Sequence, residues 1–594
     1  MTFAMEFELA GTMVDASAIE LIELALQYAG ETLAIAKGET LGIHDDRVSA
    51  TAERGCLLGE GGSERCDTRD PAQALVRPAG DIAVMLPAVP VTSLRTSKLA
   101  LACLSLAVIL AACPASKPTP TGPESRVLLT APVAKPVPHP LAAHGHTRID
   151  NYYWMHNRED PAVIDYLEAE NAYTERMTAA SKQLRDTLLT ELTGRIKQDD
   201  ETVPYRIRDH WYYTRWQQGA DYPLYCRKHG SLTADEQIIL DAQALAAGHD
   251  YFDIRRLAVS EDQHLLAFST DTVGRRIHTI QFKDLRTGEL LPDAITGVTG
   301  ALVWANDNRT IFYTKQDPQT LREHQVYRHT LGEDPKADVL VYEETDPTFE
   351  VGIGKTKSRK YVILHSSQTL TDEVRLLDAD APSSAPWVVQ PRERGLEYDV
   401  DHRGDRLYIH TNLDAPNFRI VEAPLDRPDK QHWRERVGHR DDVLIEGFDL
   451  FANHLLVVQR RAGLREFEVH RDGGGEPQIV AFADPTYVAY PDDNIELDAS
   501  TFRYAYESLT TPPTIYDYEL ETGAQTLLKR TDVLGGFDPA NYASERLWAP
   551  ARDGTEVPIS LVYRKRAGGP GPAPLLLNGY GAYGESSDAG PGPP

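Results

Sequence analysis

The stretch "SEDQHLLAFSTDTVGRRIHTIQFKDLRTGE", Ser260 to Glu289, holds a charged turn, a strongly apolar run, a polar loop and a second alternating run closed by Thr-Gly. Alternation of apolar and polar side chains is the period of a β-strand, and Asp, Gly and Ser between such runs are turn chemistry. The unit recurs. Apolar strands stand at Trp211 ("WYYTR"), Leu265 ("LLAFST"), Thr310 ("TIFYTK"), Tyr361 ("YVILHS"), Leu407 ("LYIHTN"), Leu455 ("LLVVQ") and Tyr504 ("YAYES"), about 45 to 54 residues apart. That period suits four-stranded blades set around an axis, each sheet burying both faces against its neighbours. The expected fold is therefore mainly β, with a seven-bladed β-propeller over 203–530. Stacked sandwich domains would not produce so regular a spacing.

Upstream, residues 141–202 read as a helical segment. Asp160-Pro161 supplies an N-cap and a first-turn proline, with Val163, Leu167, Tyr173 and Met177 on one face; Leu184, Leu188, Leu192 and Ile196 recur every fourth residue in a second helix. Both are expected to pack. Residues 114–140 are rich in proline and read as an extended tether.

Before the tether, Arg95 and Lys98 precede an apolar run from Leu99 to Ala112 that is short for a bilayer span, which is signal-peptide anatomy over 85–113. Its ending Leu110-Ala111-Ala112-Cys113 resembles the bacterial lipobox, so Cys113 is the expected lipidation site. The protein is then exported to the periplasm or cell envelope, held on a bacterial membrane through a lipid anchor. A signal belongs at the start of a protein, so Met85 is the expected beginning. Residues 1–84 are expected to be disordered or not native.

Hydrophobic residues make up 41% and charged residues 25% of the 594, as in soluble globular proteins. With 61 basic against 89 acidic side chains the net charge is -28, which argues against nucleic acid as a partner and favours cationic ligands. The five cysteines form no C-x-x-C pair, and His144 and His146 in "AHGH" have no third ligand near them in sequence. No metal and no cofactor are expected. "GIGKT" at 352–356 imitates a phosphate loop, but Phe349 stands where its first glycine belongs.

After Leu528 the repeat ends. "ERLWAPARDGTEVPISLVYRK" reads as a hairpin around Asp553-Gly554, and "APLLLNGYGAYG" as a buried strand entering a Gly-Tyr loop. Gly579, Gly581 and Gly584 spell G-x-G-x-x-G, yet "ESSDAGPGPP" follows and cannot form the helix whose N-terminal amides would hold a pyrophosphate.

From Val137 to Gly584 the chain resembles the prolyl oligopeptidase family of serine peptidases, its oligopeptidase B members most closely. The residues that carry the resemblance include "DNYYWMHNREDPAVIDYLEAENAY", "GRIKQDDETVPYR", "PRERGLEYDVDHRGDRLYIHTN" and "VLGGFDPANYASERLWAPARDGTEVPISLVYRK". The resemblance implies a propeller over an α/β-hydrolase domain, of which 531–594 would be the first strands. It implies that Tyr580 donates to the oxyanion hole and that Asp588 helps bind a basic side chain beside the scissile bond. Asn578 stands where the family usually carries another tyrosine.

Acyl transfer in this fold needs a serine on a G-x-S-x-G elbow, then an aspartate and a histidine. Ser63, Ser586 and Ser587 all fail that pattern. The expected function is a serine oligopeptidase cutting short basic peptides after Arg or Lys, with the propeller as size filter. These residues are read as a truncated product of it, inactive alone. The alternative is a lipid-anchored propeller that binds peptides or proteins without chemistry.

Overall fold

Seven antiparallel sheets follow one another between Asp200 and Arg530, each built from strands consecutive in the chain. In this computed structural model the described residues are 130–565, 573–581 and 584–590, with backbone strands at Ala4–Leu9, Gly42–His44 and Arg47–Ser49. The signal stretch with Cys113, the tether up to 129 and the rest of 1–84 lie outside them. The chain divides into two compact units, 29–183 and 1–28 with 184–594.

In the smaller unit a hairpin pairs His139–Ala143 with His146–Asp150. His144 takes φ +50 in its turn and is exposed with His146. A helix runs Pro161–Thr178, started as the sequence implies: Asp160 Oδ1 accepts from the Ala162 amide at 2.9 Å and Pro161 occupies the first turn. Val163 is buried, whereas Leu167 and Met177 are exposed. The next helix, Lys182–Gly194, crosses into the larger unit, and its stripe of Leu184, Leu188 and Leu192, continued by Ile196, is exposed as well. The expected helices form, with Tyr173 half-buried on the face of the first.

Blade one consists of Asp200–Glu201 and Tyr205–Ile207, both paired with His210–Trp216, then Leu224–His229 and Glu236–Asp241. Blades two to seven open with first strands Asp253–Val259, Leu302–Trp304, Glu350–Lys355, Tyr398–Arg403, Val443–Leu450 and Val488–Pro491. Their second strands are Leu265–Asp271, Thr310–Gln316, Tyr361–Gln368, Arg406–Thr411, His454–Arg461 and Thr501–Ser508. Each apolar run located by the repeat is thus the second strand of a blade. It is the best-buried strand because neighbouring sheets cover both its faces. Leu266 and Phe268 pack toward Tyr212 and Ile239 of blade one, while Ala267 between them joins Trp304 and Tyr313 of blade three. Full burial of one such large side chain contributes about 1.5–3 kcal/mol.

The charged turns ahead of the second strands have a common geometry. Arg208, Gln263, Asn308, Arg359 and Gly404, one in each of blades one to five, take φ between +56 and +66. Such a residue reverses the chain tightly, at a conformational cost to any side chain except glycine.

The ring closes through side chains between blades seven and one. Arg503 donates to the Pro204 carbonyl at 2.8 Å, Arg206 pairs with Asp498 at 2.6 Å and Lys529 with Asp200 at 2.7 Å.

Past the ring, Tyr542–Pro550 and Glu556–Arg564 form the expected hairpin, with Gly554 at φ +85 in its turn. Leu575–Tyr580 is the third strand, and the backbone of Ala4–Leu9 pairs between it and Glu556–Arg564. This third strand differs from the expectation of burial. Leu576, Leu577 and Tyr580 are exposed, while Leu575 packs against Ile559 and Leu561 of the hairpin.

Candidate functional site

First strands run toward one face of the ring and second strands run back. Turns between them therefore lie on one face, and the far ends of the second strands on the other. At the centre is a cavity of about 580 Å³ that residues from all seven blades line.

Its wall at the turn face is an ionic lattice. The blade-four turn "KTKSRK", Lys355 to Lys360, supplies most of the cations. Lys355 Nζ donates to Glu261 of blade two and to Asn306 of blade three, each at 2.7 Å. Lys357 Nζ reaches Asp449 of blade six at 2.7 Å and lies 3.8 Å from the centre of the Phe451 ring. The Lys357 amide donates to Asp401 of blade five at 2.9 Å. Arg359 donates to Glu261 at 3.2 Å and to Glu496, just past the first strand of blade seven, at 2.6 Å. Arg208 of blade one completes the lattice, its side chain on Glu261 and its amide on Glu496, both at 2.7 Å. "GIGKT" is therefore part of a strand whose lysine serves this lattice, and no phosphate loop forms.

Burial and charge set the protonation of these groups. Burial alone would raise Glu261, but Lys355, Arg208 and Arg359 outweigh it and hold the carboxyl at about 2. Burial lowers Lys355 and Lys357, with Glu261 and Asp449 opposing. Asp401 goes the other way: burial pushes it up to about 6, against its backbone hydrogen bonds and Lys357, with Asp449 adding repulsion.

On the opposite face the segment that follows the ring meets blades six and seven. Arg460, near the end of the second strand of blade six, makes a bidentate pair with Asp588 at 2.5 and 3.1 Å and also holds Glu446 at 2.7 Å. Arg546 donates to the Ala462 carbonyl at 2.9 Å and to Ser560 Oγ at 2.8 Å, and Ser560 meets Thr486 at 2.6 Å. Asp588, singled out for binding a basic side chain, thus already holds a guanidinium of the propeller. Tyr580 lies at the end of its strand with its side chain exposed. Its carbonyl accepts from Ser587 Oγ at 3.5 Å.

The structure brings Tyr580 and Asp588 into one short segment at this face and leaves Cys113 outside the described residues. Sequence reasoning missed the axial lattice. Its signal was available: three cations in "KTKSR" and acids at Glu261, Asp401, Asp449 and Glu496, all close to the ends of first strands.

The family model for the prolyl oligopeptidase N-terminal beta-propeller domain matches residues 132–531. The chain is 43% identical over 479 residues to dipeptidyl aminopeptidase BI of Pseudoxanthomonas mexicana and 35% identical over 464 residues to protease 2 of Moraxella lacunata. Each alignment covers 77% of this chain and 66% of the relative, so the chain spans slightly under two thirds of their length. Among solved structures, oligopeptidase B from Leishmania major aligns with a TM-score of 0.71 at 32% identity, covering 78% of this chain and 69% of that one. Oligopeptidase B from Trypanosoma brucei, with covalently bound antipain, aligns with a TM-score of 0.69 at 30% identity, covering 73% and 65%.

Proposed function

The chain belongs to the prolyl oligopeptidase family, and on that premise we propose that its propeller serves a serine peptidase of the oligopeptidase B kind, acting on short peptides after arginine or lysine. The observation that carries this reading is the docking of the segment after the ring on one face of the closed ring, through Arg460 and Asp588, where the family would place its hydrolase domain. The ring's cavity of about 580 Å³ has room for an extended peptide and none for a folded protein. The ion pairs at its turn face make it a size filter. The net charge of -28 favours basic peptides.

Tyr580 is proposed to donate its hydroxyl to the developing oxyanion, a role worth about 2.7–4 kcal/mol in such enzymes. Asp588 would offer its charge to the basic side chain in competition with Arg460. Fluorescence anisotropy with a labelled tetrapeptide ending in Arg, against the same peptide ending in Glu, tests the preference; equal binding refutes it.

The name of the 43% identical relative favours a second reading, release of dipeptides from an amino terminus. Peptides with free and blocked amino ends separate the two, since only an aminopeptidase requires the free amine.

Lipid anchoring at Cys113 is proposed from the lipobox-like Leu110-Ala111-Ala112-Cys113 and the basic residues ahead of it. Mass spectrometry of the protein expressed in a bacterium would find Cys113 diacylated at a new amino terminus. An unmodified Cys113 in the membrane fraction refutes it.

A further inference from the structure

The turn between Tyr205–Ile207 and His210–Trp216 in blade one carries Asp209, and its carboxylate faces two imidazoles. His210 Nδ1 stands 2.8 Å from Asp209 Oδ1, and His229 Nε2 stands 2.9 Å from Asp209 Oδ2. The two histidines are directly opposite each other across the hairpin, with ring centres 4.9 Å apart. The backbone holds the arrangement in place: the Asp209 carbonyl accepts from the Gly230 amide at 2.7 Å, tying the turn to the end of the strand that bears His229. One ligand atom from each residue lies within 4.8 Å of the other two.

We propose that Asp209, His210 and His229 bind one divalent transition-metal ion on the turn face of the propeller. The donor set decides the class of ion. Two imidazole nitrogens with one carboxylate oxygen suit zinc, cobalt, nickel or copper, whereas calcium and magnesium prefer oxygen alone. Each neutral ring can present its lone pair on the carboxylate side by moving its proton to the far nitrogen, so binding needs no net proton release. Metal–ligand distances of about 2.0–2.2 Å put neighbouring donors roughly 3.4 Å apart. The two nitrogen–oxygen separations are already shorter than that, and rotation of the exposed His229 and Asp209 side chains brings in the remaining one. Three protein ligands leave a fourth position for water or a peptide group. The site adjoins the axial lattice through Arg208, the residue next to Asp209.

The test is titration of the full chain, free of any affinity tag and stripped with a chelator, with Co(II) followed by its visible absorption and with Zn(II) followed by calorimetry. One equivalent should bind. His229→Ala is the informative variant because 72% of the side chain is exposed, so its removal opens no cavity in the core. It should weaken binding at least about tenfold, with an unchanged melting temperature for the metal-free protein. The double variant His144→Ala/His146→Ala should bind like the wild type. The proposal is overturned by failure of the wild type to bind, by a His229→Ala variant that binds like the wild type, or by loss of the site in the His144/His146 variant.

Discussion

Arg359 of blade four donates to Glu496 of blade seven at 2.6 Å, joining two blades that do not follow one another in the chain. The same guanidinium holds Glu261 of blade two, so one side chain bridges three blades at the turn face. Removing Arg359 takes away the ion-pair partner of Glu496, while Glu261 keeps Lys355 and Arg208. Arg359→Met should therefore cost about 3 kcal/mol in urea unfolding. In a double-mutant cycle with Glu496→Gln the pair should couple by roughly 1 kcal/mol or more. Simple additivity would show that the ring gains nothing from this link.

The lattice also dictates a dependence on pH, and two of its four acids, Asp401 and Glu261, act with opposite sign. Asp401 at about 6 lies above its ordinary 3.8, so the folded state holds this proton more tightly than the unfolded one. Stability from this group is greatest at or below pH 4 and is lost as pH rises toward 6. Glu261 at about 2 lies below 4.5, so its contribution is full above pH 4.5 and is lost as pH falls toward 2. Burial raises Asp449 as well, so Asp401→Asn should reduce the slope between pH 4 and 6 without removing it, and leave the acid limb unchanged. Chemical denaturation at half-unit pH steps checks this, and a slope between pH 4 and 6 as steep in the variant as in the wild type would contradict it.

Arg460 and Asp588 give a test that separates structural docking from substrate recognition. Asp588→Asn removes the charge that faces Arg460, while Glu446 still neutralises the guanidinium. Hydrogen exchange over Tyr542–Arg564 should quicken, reflecting a loss of about 1–3 kcal/mol of charge-assisted bonding. If Asp588 also binds basic side chains, affinity for an Arg-terminated peptide falls in Asp588→Asn and rises in Arg460→Met, which frees the carboxylate. Docking alone predicts that neither variant changes peptide affinity.

How much of this was legible in sequence follows from which contacts are local. Leu265–Asp271 and the other second strands are apolar on both faces because two sheets cover them, and that doubled burial produces the repeat. The hairpin at Gly554 and the helix start at Asp160 rest on residues within two or three positions of each other. The ionic lattice rests on pairs such as Lys355 with Glu261, 94 residues apart, and the docking on Arg460 with Asp588, 128 apart. No period or spacing encodes such pairs. Nor did periodicity show that the Leu184, Leu188 and Leu192 stripe is exposed, since a pattern of apolar residues marks a face without naming what covers it.

Tyr398 offers a stability test free of cavity effects. Its hydroxyl is buried in blade five, donates to the Gln390 carbonyl at 2.5 Å and accepts from the Val374 amide at 2.8 Å and the Gln390 amide at 3.3 Å. Val374 and Gln390 belong to the outer part of blade four, so this one oxygen ties two sheets. Tyr398→Phe keeps the ring and its packing on Trp433, whose centre lies 5.8 Å away. It leaves a buried carbonyl and two amides short of a partner, so the expected cost is about 1–3 kcal/mol. Tyr398→Leu should cost more, because it removes packing as well. Equal melting temperatures for the wild type and the Phe variant would mean that water replaces the hydroxyl, and that blades four and five are held together by apolar contacts alone.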